Sequence, residues 1–181
     1  MLPKLPIPDL IINDIYALTP ERLQDRGIEL LLLDLDNTLA PYTATQPNVK
    51  LRNWIDSLRH AGIEPFILSN SHGVRASGFS KALSVGYVAR AKKPDTRLLF
   101  RVLAQKGVAP DRAALVGDQI YTDVLCARRA GVLAIAVEPI DLSNPLYRMR
   151  YWAELPFRKA YRKRAEKQIE ETRLNITDKR R

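Results

Sequence analysis

Asp34 and Asp36 are the residues of this chain whose types and spacing point most directly to chemistry. They close the run Leu31-Leu32-Leu33-Asp34-Leu35-Asp36-Asn37-Thr38-Leu39. A strand alternates its side chains between faces, so carboxylates two residues apart project to one side, ~7 Å apart along the chain. A lone Asp-Leu-Asp-Asn also ends strands simply by turning. What lifts this one above a turn is that three more polar signals each follow another apolar run: Ser69-Asn70, Lys93 before Pro94, and Gly117-Asp118-Gln119-Ile120-Tyr121-Thr122-Asp123.

Three or four carboxylates drawn to one crevice repel one another and need a compensating cation. Mg²⁺ suits them, since it takes hard oxygen ligands and commonly uses one or two carboxylates plus phosphate oxygens. A lysine and a hydroxyl at the same place can hold the remaining oxygens of a phosphoryl group, and a carboxylate can itself attack to give an aspartyl-phosphate.

The elements that must position these groups follow from periodicity. Residues 29–35 form a nearly continuous apolar run, as in a central parallel strand covered on both faces, and ligands bind beyond the carboxyl ends of such strands. Thr19-Pro20-Glu21 starts a helix that Gly27 stops. Leu51, Trp54, Ile55 and Leu58 mark an amphipathic helix ending near Gly62. Strands are expected at residues 65–68, 86–89, 113–116 and 133–137. The helices between them are expected at about 74–83, from Pro94 in a first turn to Gly107, and through Leu125 to Gly131. This alternation predicts an α/β fold with a central five-stranded parallel sheet and right-handed crossovers.

Composition bounds the rest. With 181 residues, 46% hydrophobic and 27% charged, the chain fits one domain with a sizeable core and a short appendage. The single cysteine, Cys126, reads as ordinary helix packing and favours a reducing, cytoplasmic compartment. No apolar run approaches the roughly 20 residues of a membrane span, so a membrane would be met peripherally, from its surface. Net charge is +9, unevenly spread: residues 1–143 carry 17 Lys and Arg against 15 Asp and Glu, and residues 144–181 carry 12 against 5. The chain therefore divides into a catalytic domain over 1–143 and a basic, aromatic-rich helical extension over 144–181. The apolar lead-in, residues 1–18, either packs on the domain or touches lipid or a partner.

The four signals, in this order and at these spacings, resemble the haloacid dehalogenase (HAD) superfamily of phosphotransferases across residues 29–137. The resemblance implies a HAD-like three-layer sandwich with Asp34 as nucleophile and Asp36 as general acid and base. It further implies that Thr38, Ser69 and Asn70 hold phosphoryl oxygens and that Lys93 neutralises the nucleophile and the transferred group. Mg²⁺ would be bound by Asp34, the Asp36 carbonyl and Asp118, with Asp123 supporting the metal from behind.

Many members of that superfamily carry a cap domain inserted after the first or second motif. Here only 32 residues separate Asp36 from Ser69 and 23 separate Ser69 from Lys93. Neither gap accommodates a cap, and an open site suits phosphate presented on something large. In the extension, Tyr147, Tyr151, Trp152, Leu155, Phe157 and Tyr161 interleave with Arg148, Arg150, Arg158, Lys159, Arg162, Lys163 and Arg164. That segment is a helix packing its aromatics on the domain, a surface for anionic lipid headgroups, or a nucleic-acid contact. Within the superfamily the layout is most similar to a capless subfamily of phosphatidylglycerophosphate phosphatases. The resemblance rests on Leu35-Asp36-Asn37-Thr38-Leu39, the lead-in, Ala91-Lys92-Lys93-Pro94 and Gly117-Asp118-Gln119 with Thr122-Asp123. It implies a phosphorylated lipid headgroup at a membrane surface as substrate. The alternatives are a soluble phosphatase acting on sugar phosphates, nucleotides or polynucleotide ends, and a nucleic-acid or ribosome-associated binding protein that uses its tail.

Overall fold

Strands and helices alternate along the chain in the computed structural model, which describes residues 5–178, with side chains through residue 166. They are β1 (Leu10–Ile12), α1 (Pro20–Gln24), β2 (Leu30–Leu33), α2 (Val49–His60), β3 (Glu64–Leu68), α3 (Gly73–Leu83), β4 (Gly86–Val88), α4 (Arg97–Lys106), β5 (Ala113–Gly117), α5 (Leu125–Ala130), β6 (Leu133–Val137) and α6 (Pro145–Asp178). The ends of the expected lead-in and extension, residues 1–4 and 179–181, lie outside the described residues.

All strands pair in parallel, in the order β1-β6-β5-β2-β3-β4. The sheet thus has six strands where periodicity predicts five. The added strand comes from the lead-in, whose prolines and aspartates hide any alternation. Partners elsewhere in the chain make it a strand: β1 pairs with β6, the Asp9 carboxylate accepts the Ala134 N–H at 2.9 Å, and the same carboxylate pairs with Arg128 at 2.6 Å. Beyond β1, Trp54 Nε1 donates to the Leu18 carbonyl, which fastens the lead-in to α2.

The four leucines of β2 are fully buried because each face of the sheet is covered. Leu31 and Leu33 pack with Ile67, Val116 and Ile135 under Leu51, Ile55 and Leu58 of α2 and Phe79 of α3. Leu30 and Leu32 face the other way, with Phe66, Leu115, Leu99 and Leu103 of α4, and Cys126 of α5. Each such leucine contributes about 1.5–3 kcal/mol by leaving water. The result is the predicted three-layer sandwich, and no domain is inserted between Asp36 and α2 or between Ser69 and Lys93.

One helix starts later than its sequence implies. α4 begins at Arg97 and not in a turn containing Pro94. The Asn70 side chain bonds both the N–H and the carbonyl of Lys93, at 2.8 and 3.0 Å, and so holds the Lys-Pro segment beside the end of β3. The chain then turns, with Asp95 N–H on the Lys92 carbonyl, before the helix opens.

From β2 the sheet grows in one direction through β3 and β4, and in the other direction lie β5 and β6. The order reverses between β2 and β5, and the loops leaving their carboxyl ends part there to form a crevice.

Candidate active site

Asp34 follows β2 directly, and its N–H donates to the Val116 carbonyl, which continues the ladder to β5. Asp118 follows β5, so the two carboxylates face each other across the switch point. Ser69 and Asn70 leave β3, and Lys93 enters beyond β4. Asp34, Asp36, Ser69, Asn70, Lys93 and Asp123 all line one cavity of about 520 Å³. Asp118 lines a small adjoining one with Asn37 and Glu154.

At the base of the crevice Asp34, Asp118 and Asp123 are buried and offer oxygens within 4.8 Å of one another. The Lys93 ammonium, 1% exposed, pairs with Asp34 Oδ1 and with Asp123 Oδ1, both at 2.6 Å. The first is an aligned hydrogen bond; the second is held by charge, since Asp123 Oδ1 makes no aligned hydrogen bond. Gly117 makes room for this, because a Cβ there would collide with the Asp123 carboxyl. A π-helical turn, Ile120–Val124, aims Asp123 back at the strand end, where its other oxygen accepts the Gln119 N–H at 3.1 Å.

Electrostatics here are out of balance. Burial pushes Asp34 up to about 7 even against Lys93, and burial together with Asp34 and Asp123 raises Asp118 well above the carboxylate range. Burial alone would lower Lys93, but Asp123 and Asp34 outweigh it and raise it. Three carboxylates against one ammonium leave two negative charges uncompensated, the charge of one divalent cation. The donors are all hard oxygens. The residues therefore fit a divalent metal ion, whose charge would return these carboxyls to their ionised forms.

Other side chains hold the acids in place. Thr38 Oγ1 accepts the Asp118 N–H at 3.0 Å and lies 3.5 Å from Asp118 Oδ1, so this buried hydroxyl orients Asp118. Ser69 Oγ donates to Ser71 Oγ and accepts the Ser71 N–H, which turns the chain at the cavity wall. The Asn70 amide is engaged by the Lys93 backbone on both sides, so its side chain positions Lys93.

The expected groups therefore converge. Against proteins of known sequence, the HAD-hydrolase-like family model matches residues 90–139. The chain is 31% identical over 144 residues to a probable phosphatase, YqeG, of Bacillus subtilis, with 80% of this chain and 84% of that protein covered. It belongs to the HAD-like hydrolases. It is a phosphoric monoester hydrolase, and among the described residues no cap domain is inserted. It is also 26% identical over 149 residues to a chloroplastic phosphatidylglycerophosphate phosphatase 1 of Chlamydomonas reinhardtii, covering 77% of this chain and 55% of that longer protein. Among solved structures, a hypothetical protein from Xanthomonas campestris shares the fold at a TM-score of 0.53 and 19% identity, over 75% of this chain and 74% of that one.

This HAD hydrolase has site residues that periodicity and motifs do not reveal. Arg75 of α3 donates through Nε to Asp36 Oδ1 at 2.6 Å and through Nη2 to the Pro41 carbonyl at 2.9 Å; Nη1 binds the Ala44 carbonyl. One guanidinium thus ties Asp36 to the loop between β2 and α2. From α6, the Glu154 carboxylate accepts the Ile120 N–H at 2.9 Å, and burial pushes it up to about 7. Arg158, 1% exposed, donates to the Asp118 carbonyl at 2.8 Å and lies 3.2 Å from Glu138. Arg150 lines both cavities. In sequence these α6 residues sit in a basic, aromatic-rich run that leaves domain packing, lipid and nucleic acid open, because nothing local says which turn meets the domain.

Proposed function

We propose that this HAD hydrolase is a Mg²⁺-dependent phosphatidylglycerophosphate phosphatase that works through an aspartyl-phosphate on Asp34. The observation that carries the reading is the convergence of Asp34, Asp36, Lys93 and the acidic triad at the open crevice between β2 and β5.

Substrate phosphate enters with its oxygens toward Ser69 and Lys93. Asp34 attacks phosphorus through a carboxylate oxygen, and the bond from phosphorus to the leaving alcohol breaks as Asp36 gives that oxygen a proton. Lys93, already beside Asp34, neutralises charge on the transferred group. Asp36 next takes a proton from water as the water attacks phosphorus, which frees phosphate and restores Asp34. Asp34, Asp118 and the Asp36 carbonyl would hold Mg²⁺, with Asp123 behind them, and the bound ion supplies positive charge against the phosphoryl oxygens.

Two features support a lipid headgroup as the carrier of the phosphate. The cavity opens to solvent, with no domain inserted over it among the described residues. Leu146, Met149 and Trp152 are exposed on α6 beside Arg148 and Lys159, a mixed apolar and basic strip suited to an anionic interface, where each cation contributes about 1 kcal/mol. A relative that bears the corresponding name adds to this.

The experiment is Mg²⁺-dependent phosphate release from phosphatidylglycerophosphate in mixed micelles, set against sugar phosphates, nucleotides and 3′- or 5′-phosphorylated oligonucleotides. The lipid should show the highest kcat/KM. Turnover of the soluble esters with none of the lipid would remove the lipid reading and leave the phosphatase.

A further inference from the structure

The cavity of about 520 Å³ falls within the range of about 300–1,000 Å³ usual for small-molecule sites, so it has room for much more than a phosphoryl group. Its acidic base is served by Lys93, which is committed to Asp34 and Asp123. Arg75 is committed to Asp36. Arg150 is different: it lines the cavity from α6, is exposed, and among the described residues has no carboxylate partner. It also lines the adjoining cavity that contains Asp118, so it stands where the two meet.

The segment that presents Arg150 is fixed on both sides. Tyr147, three residues before it, stacks on Tyr42 with ring centres 4.7 Å apart. Tyr151 donates to Glu138 at 2.8 Å, and Glu154, four residues on, accepts the Ile120 N–H. Residues three and four apart share a helix face, so the contacts of Tyr147 and Glu154 turn Arg150 toward the crevice as well. Tyr121 donates to the Ala153 carbonyl and meets Phe157 edge-on at 5.5 Å, which seals the same wall.

The geometry points to α6 as a specificity wall that stands in for the absent cap, with Arg150 binding a second anionic group, a phosphodiester, on the alcohol side of the scissile ester. This rests on the proposed reading of the site, in which the substrate carries a phosphomonoester and a phosphodiester on one glycerol. A planar guanidinium can take two oxygens of such a group at once, an interaction that an uncharged substituent cannot make.

The test uses water-soluble esters, so that membrane binding plays no part. The full chain and its Arg150→Ala and Arg150→Lys variants are assayed with Mg²⁺ on deacylated phosphatidylglycerophosphate and on glycerol 3-phosphate. The quantity read is the ratio of the two kcat/KM values. The wild type should prefer the diester-bearing ester, Arg150→Ala should cut that preference about tenfold or more through KM, and Arg150→Lys should restore part of it. No preference in the wild type, or a ratio that Arg150→Ala leaves in place, would overturn the inference. Equal loss on both esters would also overturn it and make Arg150 a structural residue. Failure of the lipid reading would show separately, as absence of activity on the intact lipid in micelles.

Discussion

Arg75 illustrates how much of this site is decided by single contacts. The carboxylate expected to move protons, Asp36, is oriented by a guanidinium whose other nitrogens hold the Pro41 and Ala44 carbonyls. An orienting group matters most when the leaving alcohol needs a proton, and least when the leaving group departs as a stable anion. Arg75→Ala should therefore lower kcat on alkyl phosphates about ten- to a hundredfold more than on p-nitrophenyl phosphate, with Arg75→Lys recovering part of the loss. Equal loss on both, measured at fixed pH in steady state, would mean that Arg75 only supports the fold. Asp34 and Asp118 were legible in the sequence because they directly follow apolar strand runs, and Lys93 and Asp123 because they complete the order and spacing of the HAD motifs. Arg75 was not, since an arginine in the first turns of a helix looks like any solvated cation until Asp36, 39 residues earlier, is placed beside it.

At the scale of elements, α6 matters most. Arg158 is almost wholly buried, yet it reaches the carbonyls of Asp118 and Val137, at 2.8 and 3.3 Å, so it ties the helix to the ends of β5 and β6. Removing it leaves those buried acceptors without their donor. Arg158→Ala should destabilise the chain by about 2–4 kcal/mol, whereas the exposed Arg162→Ala should stay within about 0.5 kcal/mol, both read from urea unfolding. Similar values for the two would mean that α6 does not dock through Arg158. The central strands were readable from their apolar runs, and the helix cap at Thr19 from residue type, since its side chain accepts the Arg22 N–H. β1 and the docked face of α6 were not readable, because both owe their structure to partners far away in the chain: Asp9 to Arg128 and Ala134, and Arg158 to Asp118.

Across the whole molecule, the packed sheet buries carboxyls at the carboxyl ends of β2 and β5 that protons or a cation must balance. Asp34 and Glu154 are pushed up to about 7 from ordinary values of 3.8 and 4.5, in both cases by burial first. The folded chain keeps these protons at pH values where the unfolded chain has released them. Without metal, their contribution to stability is complete below about pH 4 and is lost as pH rises toward about 7. Thermal melts of metal-free protein should show a lower Tm at about pH 7.5 than at about pH 5, and added Mg²⁺ should raise Tm more at the higher pH, where protons compete less for the carboxylates. A Tm that ignores Mg²⁺ at both values would contradict a divalent site at Asp34 and Asp118 backed by Asp123.

The central claim is that Asp34 carries the phosphoryl group. It is tested most directly by quenching the enzyme during turnover, reducing it with borohydride, which converts an acyl phosphate to an alcohol, and mapping the peptides by mass spectrometry. Homoserine should appear at position 34, and only with substrate and Mg²⁺ present. Asp34→Asn should yield none and lose at least about a thousandfold in kcat while melting as a folded protein. Homoserine at another aspartate, or full turnover by Asp34→Asn, would contradict the account.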